Sequence, residues 1–314
     1  MEYLFLVAGF ILLIKGADFF VDGSSSIAKT LKVPSLIIGM TIVAMGTSLP
    51  ECSVSVTAAL AGNTGVAVGN AVGSNIFNLM VVCGACVLFC PLPVTKQVLR
   101  KEFPFSILVA LILLAMGYAG MSLGHVDGAA LLVIFVLFLA EMLRSAMKAR
   151  KEGEAQAAEA EDDYKLLPIW QCIIYIVGGA VAIKFGGDFV VDSASKIAKT
   201  FGMSQNLIGL TIVAFGTSLP ELVTSIVAAR KNEADMALGN VIGSNIFNIL
   251  FVLGIAAAIS PIKFYMENVI DIMVLVGMSA LVWVFCRTKE KLVRWEGITM
   301  LLLYAGYVVY IIKR

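Results

Sequence analysis

The chain has 314 residues, 60% of them hydrophobic and only 14% charged, with 23 basic against 22 acidic side chains. Soluble globular domains carry roughly a quarter charged residues, so this composition, with a mean hydropathy of +0.94, excludes an ordinary soluble fold and indicates a membrane protein. A net charge of +1 leaves no basic footprint for a nucleic-acid partner.

Apolar windows of about 20 residues, each able to cross roughly 30 Å of hydrocarbon, predict ten spans. They lie near 3–23, 36–61, 66–90, 103–121, 126–146, 169–192, 206–229, 236–260, 269–286 and 295–312. The expected fold is an all-α membrane protein of ten transmembrane helices in the lipid bilayer. The first run lacks a basic leader and a small-residue cleavage site, so it is expected to be a retained span and not a signal peptide. Asp18 and Asp22 lie toward its end. They could line an ion vestibule, but pairing with Lys15, Lys29, Lys184 or Lys199 is the favoured expectation, for them and for Asp188 and Asp192 in the sixth span.

The second and seventh spans are interrupted by polar residues, at Thr47–Glu51 and Thr217–Glu221. The third carries Cys83, Cys86 and Cys90 on one helical face. These, with Cys52, Cys172 and Cys286, are expected to be small apolar packing residues rather than a redox or metal cluster. His125, the single histidine, stands in a short loop beside Asp127 and offers no basis for a metal site. Residues 147–168 form the one strongly polar stretch, read as a connecting loop, partly helical, between halves 1–146 and 169–314.

Three blocks recur at one offset of 170 residues. Asp18–Thr30 matches Asp188–Thr200 at nine of thirteen positions, Thr41–Glu51 (TIVAMGTSLPE) matches Thr211–Glu221 (TIVAFGTSLPE) at ten of eleven, and Gly69–Leu79 (GNAVGSNIFNL) matches Gly239–Ile249 (GNVIGSNIFNI) at eight of eleven. A shared offset without a gap means duplication. Each copy holds five predicted spans, and an odd number inserts the second copy upside down, as an inverted-topology repeat. Sixteen of the 23 basic residues lie in or beside the loops after the odd spans, and five on the other face. The positive-inside rule then puts 147–168 in the cytoplasm and both termini outside.

Carboxylates at mid-span are costly and mark function. Glu51 and Glu221 are equivalent under the repeat, so a pseudo-twofold axis in the membrane plane would bring them to one site. Pro50 and Pro220 lack an N–H and should free the carbonyls of Gly46 and Gly216, glycines that weaken the helix at the same place. Those oxygens, the hydroxyls of Thr47, Ser48, Thr217 and Ser218, and two carboxylates make an all-oxygen donor set. Such sets suit Ca²⁺, Na⁺ or Mg²⁺. In the second constellation Ser74 and Asn78 share a helix face, as do Ser244 and Asn248. Gly69, Gly73, Gly239 and Gly243 permit close helix approach. Hydrogen-bonding glue between helices is the less favoured reading of these Ser and Asn residues, and it weighs more for Asn75 and Asn245 than for Ser74, Asn78, Ser244 and Asn248.

The doubled GTSLPE and GSNIFN motifs resemble those of the sodium/calcium exchanger family of cation/calcium antiporters, in particular its prokaryotic members, and the likeness covers nearly the whole chain. The resemblance implies ions held among spans 2, 3, 7 and 8. It implies Glu51 and Glu221 as shared Ca²⁺ and Na⁺ ligands, flanked by Thr47, Ser48, Thr217, Ser218, Ser74 and Ser244, with backbone oxygens of Ala44 and Ala214. It further implies spans 1 and 6 sliding as a pair, a location in the cell (inner) membrane, transported ions in place of any cofactor, and no enzymatic activity. Some relatives, including the potassium-dependent subclass, carry Asp where this chain has Asn248. Neutral Asn78 and Asn248 leave two central negative charges and argue against a potassium requirement. One Ca²⁺ or two Na⁺ would cancel those charges, which favours obligatory exchange. A proton/calcium antiporter is the alternative, since buried carboxylates can take up protons. An intramembrane hydrolase lacks a paired nucleophile and base, and a channel fits poorly with broken helices in inverted repeats.

Overall fold

A computed structural model of the chain describes residues 1–62, 64–156, 167–203, 212 and 214–314. Its helices are α1 (Glu2–Leu31), α2 (Ser35–Thr47), α3 (Leu49–Leu60), α4 (Gly65–Phe89), α5 (Val98–Gly120) and α6 (His125–Gln156), followed by α7 (Ile169–Thr200), α8 (Leu219–Arg230), α9 (Ala234–Ile259), α10 (Met266–Lys289) and α11 (Arg294–Lys313). Four two-residue strands join them: β1 (Leu92–Pro93), β2 (Ser122–Leu123), β3 (Ile262–Lys263) and β4 (Lys291–Leu292). Among the described residues eight helices are long and apolar enough to cross a membrane, and the bent pair α2–α3 is a ninth candidate. The chain is therefore an all-helical, multi-pass membrane protein. Of the predicted seventh span, residues 206–211 and 213 lie outside the described residues, and α8 is its second half. Within the predicted loop 147–168, α6 runs on to Gln156, and 157–166 lie outside the described residues.

Helix contacts divide the chain into two compact units, and each takes segments from both copies of the repeat. The first comprises Met1–Thr47 and Val136–Asn240. Here α1 and α7, equivalent under the repeat, pack against each other in opposite directions: Gly9 meets Gly186, Gly16 meets Gly179 and Gly23 meets Cys172. Glycines seven residues apart stay on one helix face, as in a coiled-coil seam. A Cβ added at Gly16 would lie 2.9 Å from the Ala182 Cβ, and one added at Gly179 2.7 Å from the Gly16 carbonyl oxygen. The two backbones touch because neither carries a side chain there. In the same unit Gly39 lies against the Met236 backbone and Gly239 against the Leu36 carbonyl.

Asp18 and Asp22 of α1 are paired. Lys231 reaches Asp22 at 2.8 Å and Asp18 at 3.4 Å, and Lys15 lies 3.7 Å from Asp18. Lys184 holds Asp188 at 2.6 Å. Lys29, one of the lysines expected to pair with these aspartates, lies 3.4 Å from Glu233, which also accepts the hydroxyls of Ser25 and Ser35.

The second unit comprises Ser48–Phe135 and Val241–Arg314. Its contacts come in equivalent pairs. Strand β1 pairs antiparallel with β4 (Leu92 opposite Leu292), and β2 with β3 (Leu123 opposite Ile262). The Val94 amide donates to the Glu290 carbonyl at 2.8 Å, and the Phe264 amide to the Met121 carbonyl at 2.9 Å. Gly84 of α4 lies on Gly297 of α11, as Gly254 of α9 lies on Gly128 of α6. The three strand leucines and Ile262 are 0–1% exposed, so each ladder is an apolar staple. Buried Cys83 and Cys86 pack in α4 as small apolar groups. Burial separates the helices by role: 72% of the α4 window and 78% of the α9 window are buried, against 33% for α1 and 22% for α11. Helices α4 and α9, the two that carry GSNIFN, are the interior ones.

Candidate ion-binding site

Each copy of the repeat holds a broken helix. Helices α2 and α3 meet at Ser48 (φ −86°, ψ 11°), where the chain bends by 49°. In the second copy Ser218 (φ −94°, ψ 6°) separates the single turn Ala214–Gly216 from α8. Pro50 and Pro220 occupy the second position of the new helices, where a missing N–H costs nothing because that donor is an orphan anyway. Hydrogen bonding resumes at once, from the Cys52 amide to the Ser48 carbonyl at 3.1 Å and from the Leu222 amide to the Ser218 carbonyl at 3.2 Å. The prolines thus open new helices rather than merely kink continuous ones. The glycines before them serve a packing purpose: a Cβ on Gly46 would meet the Phe20 ring at 2.7 Å, and one on Gly216 the Val191 side chain at 2.1 Å.

Glu51 and Glu221 fall in the first turn of α3 and α8. The positive end of a helix dipole favours a carboxylate there, which offsets part of the desolvation cost of burial. Both are 0% exposed, as are Thr47, Ser48, Ser218, Ser244, Asn78 and Asn248, with Ser74 at 3%. Thr217 is half-buried. In the second unit the Ser74 hydroxyl lies 3.5 Å from Glu51 Oε1. Asn70, one turn earlier on α4, donates to the Glu51 carbonyl at 3.1 Å and to Ser55 Oγ at 3.0 Å. The first unit repeats the arrangement: Asn240 lies 3.5 Å from the Glu221 carbonyl and 2.9 Å from Ser225 Oγ. The Thr47 hydroxyl has three acceptors in reach, Asn240 Oδ1 and the carbonyls of Val43 and Ala44, at 3.1, 3.1 and 3.3 Å.

Asn70, Ser55, Asn240 and Ser225 are absent from the sequence-based set. The signal for the asparagines was in hand, because both copies read Gly-Asn-x-x-Gly-Ser-Asn.

A second polar cluster, wholly within the second unit, joins α4 to α9. Asn75 Nδ2 donates to the Asn245 carbonyl at 3.0 Å and Asn245 Nδ2 to the Asn75 carbonyl at 3.3 Å. Asn78 Nδ2 donates to Asn245 Oδ1 at 3.3 Å, and Asn248 Nδ2 to Asn75 Oδ1 at 3.1 Å. Asn75 and Asn245 are therefore the glue. Asn78 and Asn248 spend their NH₂ groups on that glue, which fixes how their amides face. Their Oδ1 atoms are buried and accept no hydrogen bond among the described residues. Such an oxygen is costly unless something electropositive meets it. Each of these asparagines also opens a π-helical turn, Asn78–Val82 and Asn248–Leu253, a distortion common at functional sites. Carboxylate, hydroxyl and amide oxygens are donors for a hard cation.

Residues 1–143 and 172–313 match the family model described as sodium/calcium exchanger protein. The sodium/calcium exchanger MaX1 of Methanosarcina acetivorans is 30% identical, covering 98% of each chain. The inner membrane protein YrbG of Escherichia coli is 40% identical over 82% of this chain and 79% of its own. A solved structure of the sodium–calcium exchanger NCX_Mj, soaked with 2.5 mM Na⁺ and 10 mM Sr²⁺, superposes with a TM-score of 0.84 at 34% identity. The match covers 98% of this chain and 99% of that one.

Proposed function

Because the chain belongs to the sodium/calcium exchanger family, whose members are transporters and not enzymes, we propose that it is a secondary antiporter exchanging Na⁺ for Ca²⁺ by alternating access. Glu51 and Glu221 are the shared ligands. Thr47, Ser48, Thr217, Ser218, Ser74 and Ser244, with backbone oxygens at Ala44 and Ala214, complete the flanking positions, and Asn78 and Asn248 add amide oxygens. The observation that carries this reading is the pair of buried Oδ1 atoms on Asn78 and Asn248. These neutral oxygens suit a hard cation, and Na⁺ is taken as the coupling ion because the matching family model is that of a sodium/calcium exchanger.

Charge gives the cycle its logic. Two buried carboxylates are neutralised by one Ca²⁺ or by two Na⁺. An empty site would leave two charges unpaired in low dielectric, a costly state, so the protein changes conformation only when loaded. The antiparallel α1–α7 pair and the reciprocal ladders of the second unit support ten spans arranged as inverted five-span repeats. The seams of glycine contact support α1 and α7 moving as one body. The basic-rich loops, with 147–168, face the cytoplasm of a cell whose inner membrane holds the protein, and both termini lie outside. The direct test is competition: ⁴⁵Ca²⁺ bound to the purified protein should be displaced by Na⁺ and not by equal K⁺. Failure of Na⁺ to displace it would overturn the shared-ligand assignment.

A further inference from the structure

Within the second unit, the start of α5 and the end of α10 enclose a cleft of about 400 Å³. Lys96, Arg100 and Arg287 line it with Leu99, Pro104, Trp283 and Glu290. Three cations against one carboxylate leave an excess of two positive charges. Among the described residues none of the three cations forms an ion pair. The floor is rigid: the Trp283 indole N–H donates to the Leu99 carbonyl at 2.9 Å, and the Arg287 guanidinium lies over the Trp283 ring at 4.9 Å from its centre. Stacking occupies the face of a guanidinium and leaves its in-plane N–H donors for an anion.

We propose that this cleft binds the phosphate headgroup of an anionic phospholipid. Several observations select a lipid over a free phosphate. The cleft lies where two apolar helices end, which is headgroup depth. Trp283 is the residue type that favours that interface, and Leu99 and Pro104 give the cleft an apolar wall. The surrounding helix ends and strand β4 also carry Lys101, Lys289, Lys291 and Arg294. They belong to the basic-rich face, and basic pockets between helix ends on that face bind acidic headgroups. A lipid seated here would tie α5 to α10, and the site is separate from the cation ligands.

The test uses the full chain in detergent, with lipid retention followed by native mass spectrometry. Phosphatidylglycerol should be retained about tenfold more than phosphatidylcholine. Arg100→Gln with Arg287→Gln should remove that preference. Lys291→Gln, on the same face but outside the cleft, should keep it. Glu290→Gln should strengthen it, which keeps the proposal testable if the double variant fails to fold. Equal retention of the two lipids would overturn the proposal, as would equal loss in Lys291→Gln. Full displacement of phosphatidylglycerol by glycerol phosphate at the same concentration would reassign the cleft to a soluble anion.

Discussion

Single residues in the two GSNIFN segments divide by which of their atoms are already spoken for. Asn75 supplies a donor to the Asn245 carbonyl and an acceptor to Asn248. Asn75→Ala should therefore destabilise the protein by about 1–3 kcal/mol for each buried partner it strands, read as a fall in melting temperature in detergent. Asn78→Ala removes a buried oxygen that has no partner among the described residues. It should cost Ca²⁺ affinity with a smaller loss of stability, and the reverse ranking would exchange the roles given to these neighbours. Glu51→Gln and Glu221→Gln keep shape while removing charge, so each should abolish Ca²⁺ exchange and leave insertion intact. Normal transport in both variants would remove the ligand assignment. The acids and hydroxyls were legible in the sequence because polar residues inside an apolar span stand out. Which asparagine glues and which keeps its oxygen was not legible, because that depends on a partner 170 positions away.

For the helices, local chemistry and packing decide. Pro50 sits where α3 begins, and Pro50→Ala restores an N–H able to join α2 and α3 into one helix. Exchange should fall by tenfold or more while the melting temperature holds or rises. Undiminished exchange would mean that the break is incidental. Gly16→Leu places a large side chain where the Ala182 Cβ leaves 2.9 Å. It should force α1 from α7 and lower both stability and transport, since overpacking a close contact costs about 1–3 kcal/mol. The broken spans were readable from Thr47–Glu51 and its copy. The π-helical turns at Asn78–Val82, Asn248–Leu253, Gly39–Val43 and Val98–Glu102 were not, since widening a turn by one residue leaves no pattern in side-chain type. Helices α1 and α7 also run eight residues beyond their predicted apolar ends, to Leu31 and Thr200, because paired and capped polar residues continue a helix past the hydrocarbon.

In the molecule as a whole, the repeat offset pairs residues of the two copies but does not say which segments form compact units. Each unit draws on both copies, and two of the three divisions, after Thr47 and after Asn240, fall inside the motifs themselves, while the third follows Phe135. Periodicity reports the faces of one helix and is silent on which helices later pack together. One carboxylate, Glu221, belongs to the first unit and the other, Glu51, to the second. The functional claim that joins them is that Na⁺ and Ca²⁺ compete for the same oxygens and that only a loaded site exchanges sides. Its most direct test is ⁴⁵Ca²⁺ uptake into proteoliposomes containing the purified chain. Vesicles loaded with Na⁺ and diluted into Na⁺-free medium should accumulate Ca²⁺, and a pH gradient without Na⁺ should drive none. Uptake driven by the proton gradient alone, with no response to Na⁺, would contradict the account.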